Sequence, residues 1–284
     1  MTDPITDKLV EQGTKSIGAV VDKLLGPTAE VMGKELEAWY TARRNLQKVA
    51  RRASERTNLE DGGGVPPRVV AEVFEKAQWA DDEFVAEYLS GVLASARTTD
   101  GANDSGVSWT ALVGRMSADQ IALHWVLYAA FQASMRDASA TEFWPATLQQ
   151  VVVDYGTLWT SLGWELNESI LIRTMDAAYG LRREGLLADL THGDGAYLQD
   201  EVTWTRGHAF DRNAAYLTFK VTGDGVGLLL HSVGEGKRWL AEISSQEVSQ
   251  AVDQTEMLPK VQASSFVKDL PSPRNSDSQA PADG

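Results

Sequence analysis

Apolar residues recur at three- and four-residue spacing through most of this chain, most densely from Val65 to Arg97. That stretch predicts two helices meeting at Asp81-Asp82. Pro66 and Pro67 can open the first, because proline fits a first turn whose N–H groups lack partners anyway. Val69, Val70, Val73, Phe74 and Ala77 then share one face. Asp81 or Asp82 is the natural N-cap of the second, with Glu83 favourable at its positive end. Its stripe is Phe84, Val85, Tyr88, Leu89, Val92, Leu93 and Ala96, while the small residues Ser90, Gly91, Ala94 and Ser95 let another helix come close. This pair reads as a packing hub.

Upstream, the spacing predicts an amphipathic helix over 4–25 and, past Gly26-Pro27, a longer one over 28–56. The segment NLEDGGGV, 58–65, reads as a flexible hinge. Downstream, a short helix is expected over Trp109–Arg115 and a strong one from Ser117, with Gln120 in the capping-box position. His124 lies on that helix and is expected to be a hydrogen-bonded core histidine. A helix near Pro145–Asp154 followed by an irregular connection is expected next, with Trp144, Trp159 and Trp164 in the core; exposed tryptophans would instead mark a partner or membrane surface.

From Asn167 the pattern changes to a helix ending near Arg183, a short strand, alternation over Tyr197–Thr205, a strand over Ala215–Val221 and a helix after Thr222. This order reads as a winged-helix-like α+β unit. A polar helix over Leu240–Met257 and a disordered tail complete the chain. The expected fold is mainly α: an N-terminal basic helical arm (1–57), a helical core domain (65–164), the winged-helix-like unit with its final helix (165–256) and the tail (257–284).

Charge changes this picture in one respect. The 284 residues carry a formal net charge of −14, yet residues 1–56 hold 10 Lys/Arg against 8 Asp/Glu. A mildly basic arm is thus joined to a strongly acidic body, which disfavours non-specific attraction to nucleic acid or anionic lipid for the molecule as a whole. The basic concentration is Arg43, Arg44, Lys48, Arg51, Arg52 and Arg56. It fits a patch for anionic lipid or nucleic acid, or a helix face paired with the acidic body, and pairing is the expectation. Arg173, Arg182 and Arg183 are the candidate nucleic-acid contacts of a winged helix; the surrounding acidic residues argue against DNA.

No cysteine is present, which excludes disulfides, thiolate metal sites and cysteine nucleophiles and fits a reducing cytoplasm. The N-terminus lacks the basic-then-apolar pattern of a secretory signal, and no apolar run approaches the roughly 18 residues of a spanning helix. Phosphate-loop, zinc-protease and nucleophile-elbow motifs are missing, so no catalytic residue, cofactor or metal is assigned. The loop after Arg97 departs from calcium-ligand spacing at Ala102. The carboxylates Asp81, Asp82, Glu83 and Glu87 are explained first by a helix start. His192 near Asp194 and His208 near Asp211 could each orient a base, but neither has a nucleophile beside it in sequence.

The segments GPTAEVMGKELEAWYTARRNLQKVARRA, VPPRVVAEVF and ADDEFVAEYLSGVLASAR resemble the Abi-alpha (abortive infection alpha) family of bacterial and phage-borne proteins. Gly26-Pro27, Arg44-Asn45 and Leu93–Ala96 carry the resemblance, which spans roughly residues 24 to 233. It implies a non-enzymatic role in abortive infection and brings no catalytic residues. The expectation is a cytoplasmic protein, peripheral at the inner membrane if its arm engages lipid, that acts through a protein partner or self-association. The basic arm would be held on the acidic body and released on a trigger. The competing reading is a winged-helix regulator or adaptor binding DNA or a protein.

Overall fold

The expected hub is a helix on which five others rest in the computed structural model, which describes residues 20–30, 44–136, 142–148, 150–200, 210–255 and 258–259. The central helix is α3 (Glu83–Ala96), and α1 (Arg44–Glu55), α2 (Pro67–Ala77), α4 (Gly106–Arg115), α5 (Ala118–Ser134) and α10 (Gly223–Ser232) all pack against it. Asp82 caps α3 by accepting from the backbone N–H groups of Phe84 and Val85. Residues Ala86 to Ala96 are buried throughout. The small residues have the role their size suggests: a Cβ at Gly91 would overlap the carbonyl of Ser232, so α10 crosses directly over that glycine.

Helix α5 begins with the expected capping box between Ser117 and Gln120. His124 is wholly buried and hydrogen-bonded on both sides. Tyr88 Oη lies 2.6 Å from Nδ1, and Nε2 lies 3.0 Å from the carbonyl oxygen of Gly225. A carbonyl can only accept, so Nε2 carries the proton and Nδ1 accepts from the tyrosine. Burial pushes the histidine down to about 3. One turn on, Tyr128 donates to the carbonyl of Leu186 and accepts from the N–H of Thr222, joining α5 to the sheet region.

Besides helical residues 20–25 and 27–30, the further elements are α6 (Phe143–Thr147), β1 (Val151–Asp154), α7 (Tyr155–Leu162), α8 (Ile170–Arg183), β2 (Leu187–Asp194), α9 (Gly195–Asp200), β3 (Ala215–Val221), a 3-10 turn (Leu240–Ser244) and α11 (Gln246–Asp253). The protein is mainly helical, with one antiparallel three-stranded sheet in the order β1-β3-β2. Val151 pairs with Phe219 and Val153 with Leu217, and these face the main core. Val152 and Tyr216 point the other way, onto Leu198 of α9. The main core is continuous from Val21 to Leu258.

Several expectations are corrected. The helix expected over Pro145–Asp154 stops at Thr147, and Val151–Asp154 is a strand, because three successive β-branched residues fit the edge of β3. The connection expected to be irregular is α7, capped by Asp154, which accepts from the N–H of Thr157. Tyr197–Asp200 is helical rather than alternating, since Asp194 accepts from the N–H of Tyr197 and starts a helical turn. The last helix is broken at Ser245, which caps α11 through Val248 N–H.

The glycine-rich hinge is pinned. Gly64 and Thr98 exchange two backbone hydrogen bonds of 2.9 Å, and buried Arg97 binds Asp61 and the carbonyl of Leu24. Of the three tryptophans expected inside, Trp159 and Trp164 are half-buried against the core, while Trp144 is exposed. Arg43, His208, most of the helix expected over 4–25, residues 31–43 of the helix expected over 28–56, residues 201–205 of the expected alternation and nearly all of the tail lie outside the described residues.

Candidate interaction surface

Helix α8 follows a turn in which Asn167 Oδ1 accepts from Ser169 N–H (3.0 Å) and its hydroxyl (2.8 Å). The helix stops before Gly185, whose φ of +74 suits glycine. Its inner face, Ile170, Thr174, Ala177, Ala178, Gly180 and Leu181, is buried. The Thr174 hydroxyl donates to Ile170 and accepts from Trp159 Nε1 at 2.9 Å, fastening α8 to α7. On the other flank, Arg173 grips Asp119 of α5 through two hydrogen bonds of 2.5 and 2.7 Å. Its guanidinium sits 4.1 Å from the centre of the Trp164 ring. The hydrogen bonds to Asp119 outweigh burial and hold the Arg173 pKa above its ordinary value.

A helix fixed on three sides leaves its fourth face to solvent. That face carries Leu171, Ile172, Asp176, Tyr179, Arg182 and Arg183. Ile172 is 64% exposed, Leu171 44% and Tyr179 38%. Apolar side chains of this size, adjacent on one rigid helix, form a patch rather than the scatter normal at a surface. Among the described residues, Arg182 and Arg183 take part in no ion pair. Of the three candidate nucleic-acid arginines, Arg173 is therefore occupied within the fold and two are open.

The basic concentration on α1 has a different setting. Leu46, Val49, Ala50 and Ala53 are buried against α3, which brings the cations above Glu83 and Glu87. Lys48 lies 3.0 Å from Glu83, Arg52 2.6 Å from Glu83 and 3.2 Å from Glu87, and Arg56 binds Glu87 directly. Arg56 also donates to Ser90 Oγ (3.1 Å) and to the carbonyl of Ser232 (2.9 Å), which ties α1, α3 and α10 together. Burial lowers the Arg56 pKa despite the opposing pull of Glu87. Burial also raises Glu83, but hydrogen bonds from Arg52 and Lys48 outweigh it and leave that carboxyl below its usual value. Arg51 reaches Glu55 at 3.7 Å, and Arg44 is exposed. A cleft of about 440 Å³ opens here, but its lining includes Glu55, Glu87 and Glu235 beside Arg51, Arg52 and Arg56. Three charges of each sign give it no preference for an anion.

The pairing had a sequence signal. Glu83 and Glu87 are four apart, as are Arg52 and Arg56, so each pair falls on one face of its helix. The outward apolar residues of α8 had none, because Ile170-Leu171-Ile172 divides between core and solvent. The candidate bases are dispersed: Asp194 caps α9, and His192 meets Tyr179 edge-on at 6.3 Å between ring centres. Among the described residues no group of three or more His, Asp or Glu could hold a metal ion, and no helix is long and apolar enough to cross a membrane. Comparison with protein-family models, curated proteins and solved structures finds no match for this chain.

Proposed function

We propose that this protein works by binding, in abortive infection, and that the outward face of α8 is its docking surface for a protein partner. The single observation that carries this reading is the exposed Leu171, Ile172 and Tyr179 beside two arginines that form no ion pair among the described residues, on a helix locked along its other sides. Two further features support it. The order β1-α7-α8-β2-α9-β3, with sheet order β1-β3-β2, is compatible with a winged-helix-like unit, in which α8 would take the place of the recognition helix. The resemblance of residues 24–233 to the Abi-alpha family supplies the biological setting.

A protein partner is favoured over DNA by the chemistry of the face. Phosphate contacts need cations, and specific base readout needs donors and acceptors at the groove edge. Here Arg173 is held by Asp119, and apolar or acidic residues occupy the central outward positions. Within this proposal the protein acts in the cytoplasm. The basic stretch of α1 serves as an internal strut, because withdrawing it would expose Leu46 and Val49 and leave Glu87 unpaired.

The test is a phage challenge of bacteria expressing the protein, at low and high multiplicity. Protection at low multiplicity with culture collapse at high multiplicity is expected, and Ile172→Asp should abolish it while the thermal midpoint stays within a few degrees. Protection unchanged by Ile172→Asp and Tyr179→Asp would remove α8 as the docking surface. Steeply salt-dependent DNA affinity lost with Arg182→Glu and Arg183→Glu would favour the regulator reading instead.

A further inference from the structure

We infer that the partner taken by the α8 face is a second copy of this chain, with the two α8 helices antiparallel across a two-fold axis. The inference rests on α8 being a docking surface and names its occupant. Its basis is the order of residues along the exposed stripe. Glu168, in the turn before the helix, is followed at three- and four-residue intervals by Ile172, Asp176, Tyr179 and Arg183. All five are exposed. Read from either end in an antiparallel pair, the stripe complements itself: Glu168 meets Arg183 of the second copy at both ends, and Ile172 meets Tyr179 on both sides of the centre. A two-fold interface requires this property, since the same patch must serve both partners.

The charge of the whole molecule points to the same face. At a net −14, two copies repel over most approaches. Among the described residues the C-terminal end of α8 presents Arg182 and Arg183 without acidic partners, so two copies meet there with cation against carboxylate. The acid-first, base-last order of α8 also suits the helix dipole. The dipole gives no reason for Ile172 and Tyr179 to stand exposed at matching distances from the middle.

The arrangement also makes a less favourable contact, which sharpens the inference. Asp176 lies beside the axis and faces its own counterpart. Removing its charge should therefore tighten the pair, although an aspartate on a solvated helix face would otherwise be a neutral site.

The experiment is sedimentation equilibrium of the purified full chain over a concentration series, with paired charge reversals. The wild type is expected to approach twice the 31.0 kDa chain mass. Glu168→Arg alone and Arg183→Glu alone should each weaken self-association by more than about tenfold, because each homodimer then sets like charges opposite. An equimolar mixture of the two single variants should form a heterodimer, since every end contact is again a cation against a carboxylate. The double variant should recover the homodimer, and Asp176→Asn should bind itself more tightly than the wild type. A chain that stays monomeric throughout, or reversals that weaken association without rescue in the mixture, would overturn the inference. If the chain is monomeric and Ile172→Asp still abolishes phage protection, the face docks on another protein and only the identity of its occupant has failed. If protection also survives Ile172→Asp, the docking surface itself has been misassigned.

Discussion

Two helices of this protein, α1 and α8, each carry an Arg-Arg pair and end in opposite situations. On α1, Arg52 and Arg56 turn inward and meet Glu83 and Glu87 of α3, with side chains only 10% and 15% exposed. On α8, Arg173 is held by Asp119, but Arg182 and Arg183 face solvent beside Leu171, Ile172 and Tyr179. A cluster of cations therefore does not identify a binding patch. What identifies one is the failure of the surrounding structure to neutralise it, together with apolar surface left uncovered alongside. By that criterion α1 is part of the interior scaffold and α8 is the face we propose for a partner.

The sharpest way to test the contrast is to break the α1 side. Glu87 is almost wholly buried and serves both Arg52 and Arg56. Glu87→Gln keeps the shape but leaves buried Arg52 with Glu83 alone and takes from Arg56 its bonded carboxylate. Removing one member of a buried ion pair typically costs about 3–5 kcal/mol. Urea denaturation should show a loss of that order, and a loss below about 1 kcal/mol would mean the α1–α3 pairs contribute little to the scaffold.

The second expected effect lies in the core that joins the two regions. His124 has a folded pKa pushed down to about 3, against an ordinary value of 6.5. The unfolded chain therefore takes up the proton first. Stability from this group is complete above about pH 6.5 and declines as pH falls toward about 3, by about 2 kcal/mol at pH 5. Burial also lowers His231, which acts in the same direction. Replacing His124 with Gln should flatten the difference in stability between pH 7 and pH 5, whatever it costs at neutral pH. An unchanged slope would assign the acid sensitivity elsewhere.

How much of this was legible beforehand follows from where the controlling interactions lie in sequence. The α3 hub, the Asp82 cap, the Ser117–Gln120 box and the core position of His124 are local signals, decided within a turn or two of helix. The strand β1 was not legible, because Val151–Asp154 is too short for a period to show and is stabilised by β3, more than sixty residues later. The hinge at 61–64 looked flexible from its glycines, yet Asp61 and Gly64 are held by Arg97 and Thr98 across the core. The α8 face failed for the same reason: which residues of Ile170-Leu171-Ile172 are exposed depends on how α5 and α7 flank the helix.

A smaller effect separates the occupied arginine of α8 from the open ones. Arg173→Lys keeps the charge but loses the two-pronged grip on Asp119 and the stack on Trp164. Because the pair is partly exposed, solvent screening limits its worth to about 0.5–1 kcal/mol, and a thermal midpoint lowered by a few degrees is the expected reading. Protection against phage should be retained, since the outward face is untouched.

The smallest expected change in stability belongs to Arg182→Ala and Arg183→Ala, which touch no ion pair among the described residues. Exposed substitutions of this kind lie within about 0.5 kcal/mol of the parent. Their interest is that the comparison predicts opposite rankings by the two measures. Glu87→Gln should damage folding most and affect docking only through loss of folded protein. Arg183→Ala should leave folding intact while removing both end contacts of the α8 stripe. If Arg183→Ala lowered the unfolding midpoint as much as Arg173→Lys, its guanidinium would be serving the fold, and the distinction between an internally neutralised α1 and an outwardly directed α8 would fail at the residue on which it depends.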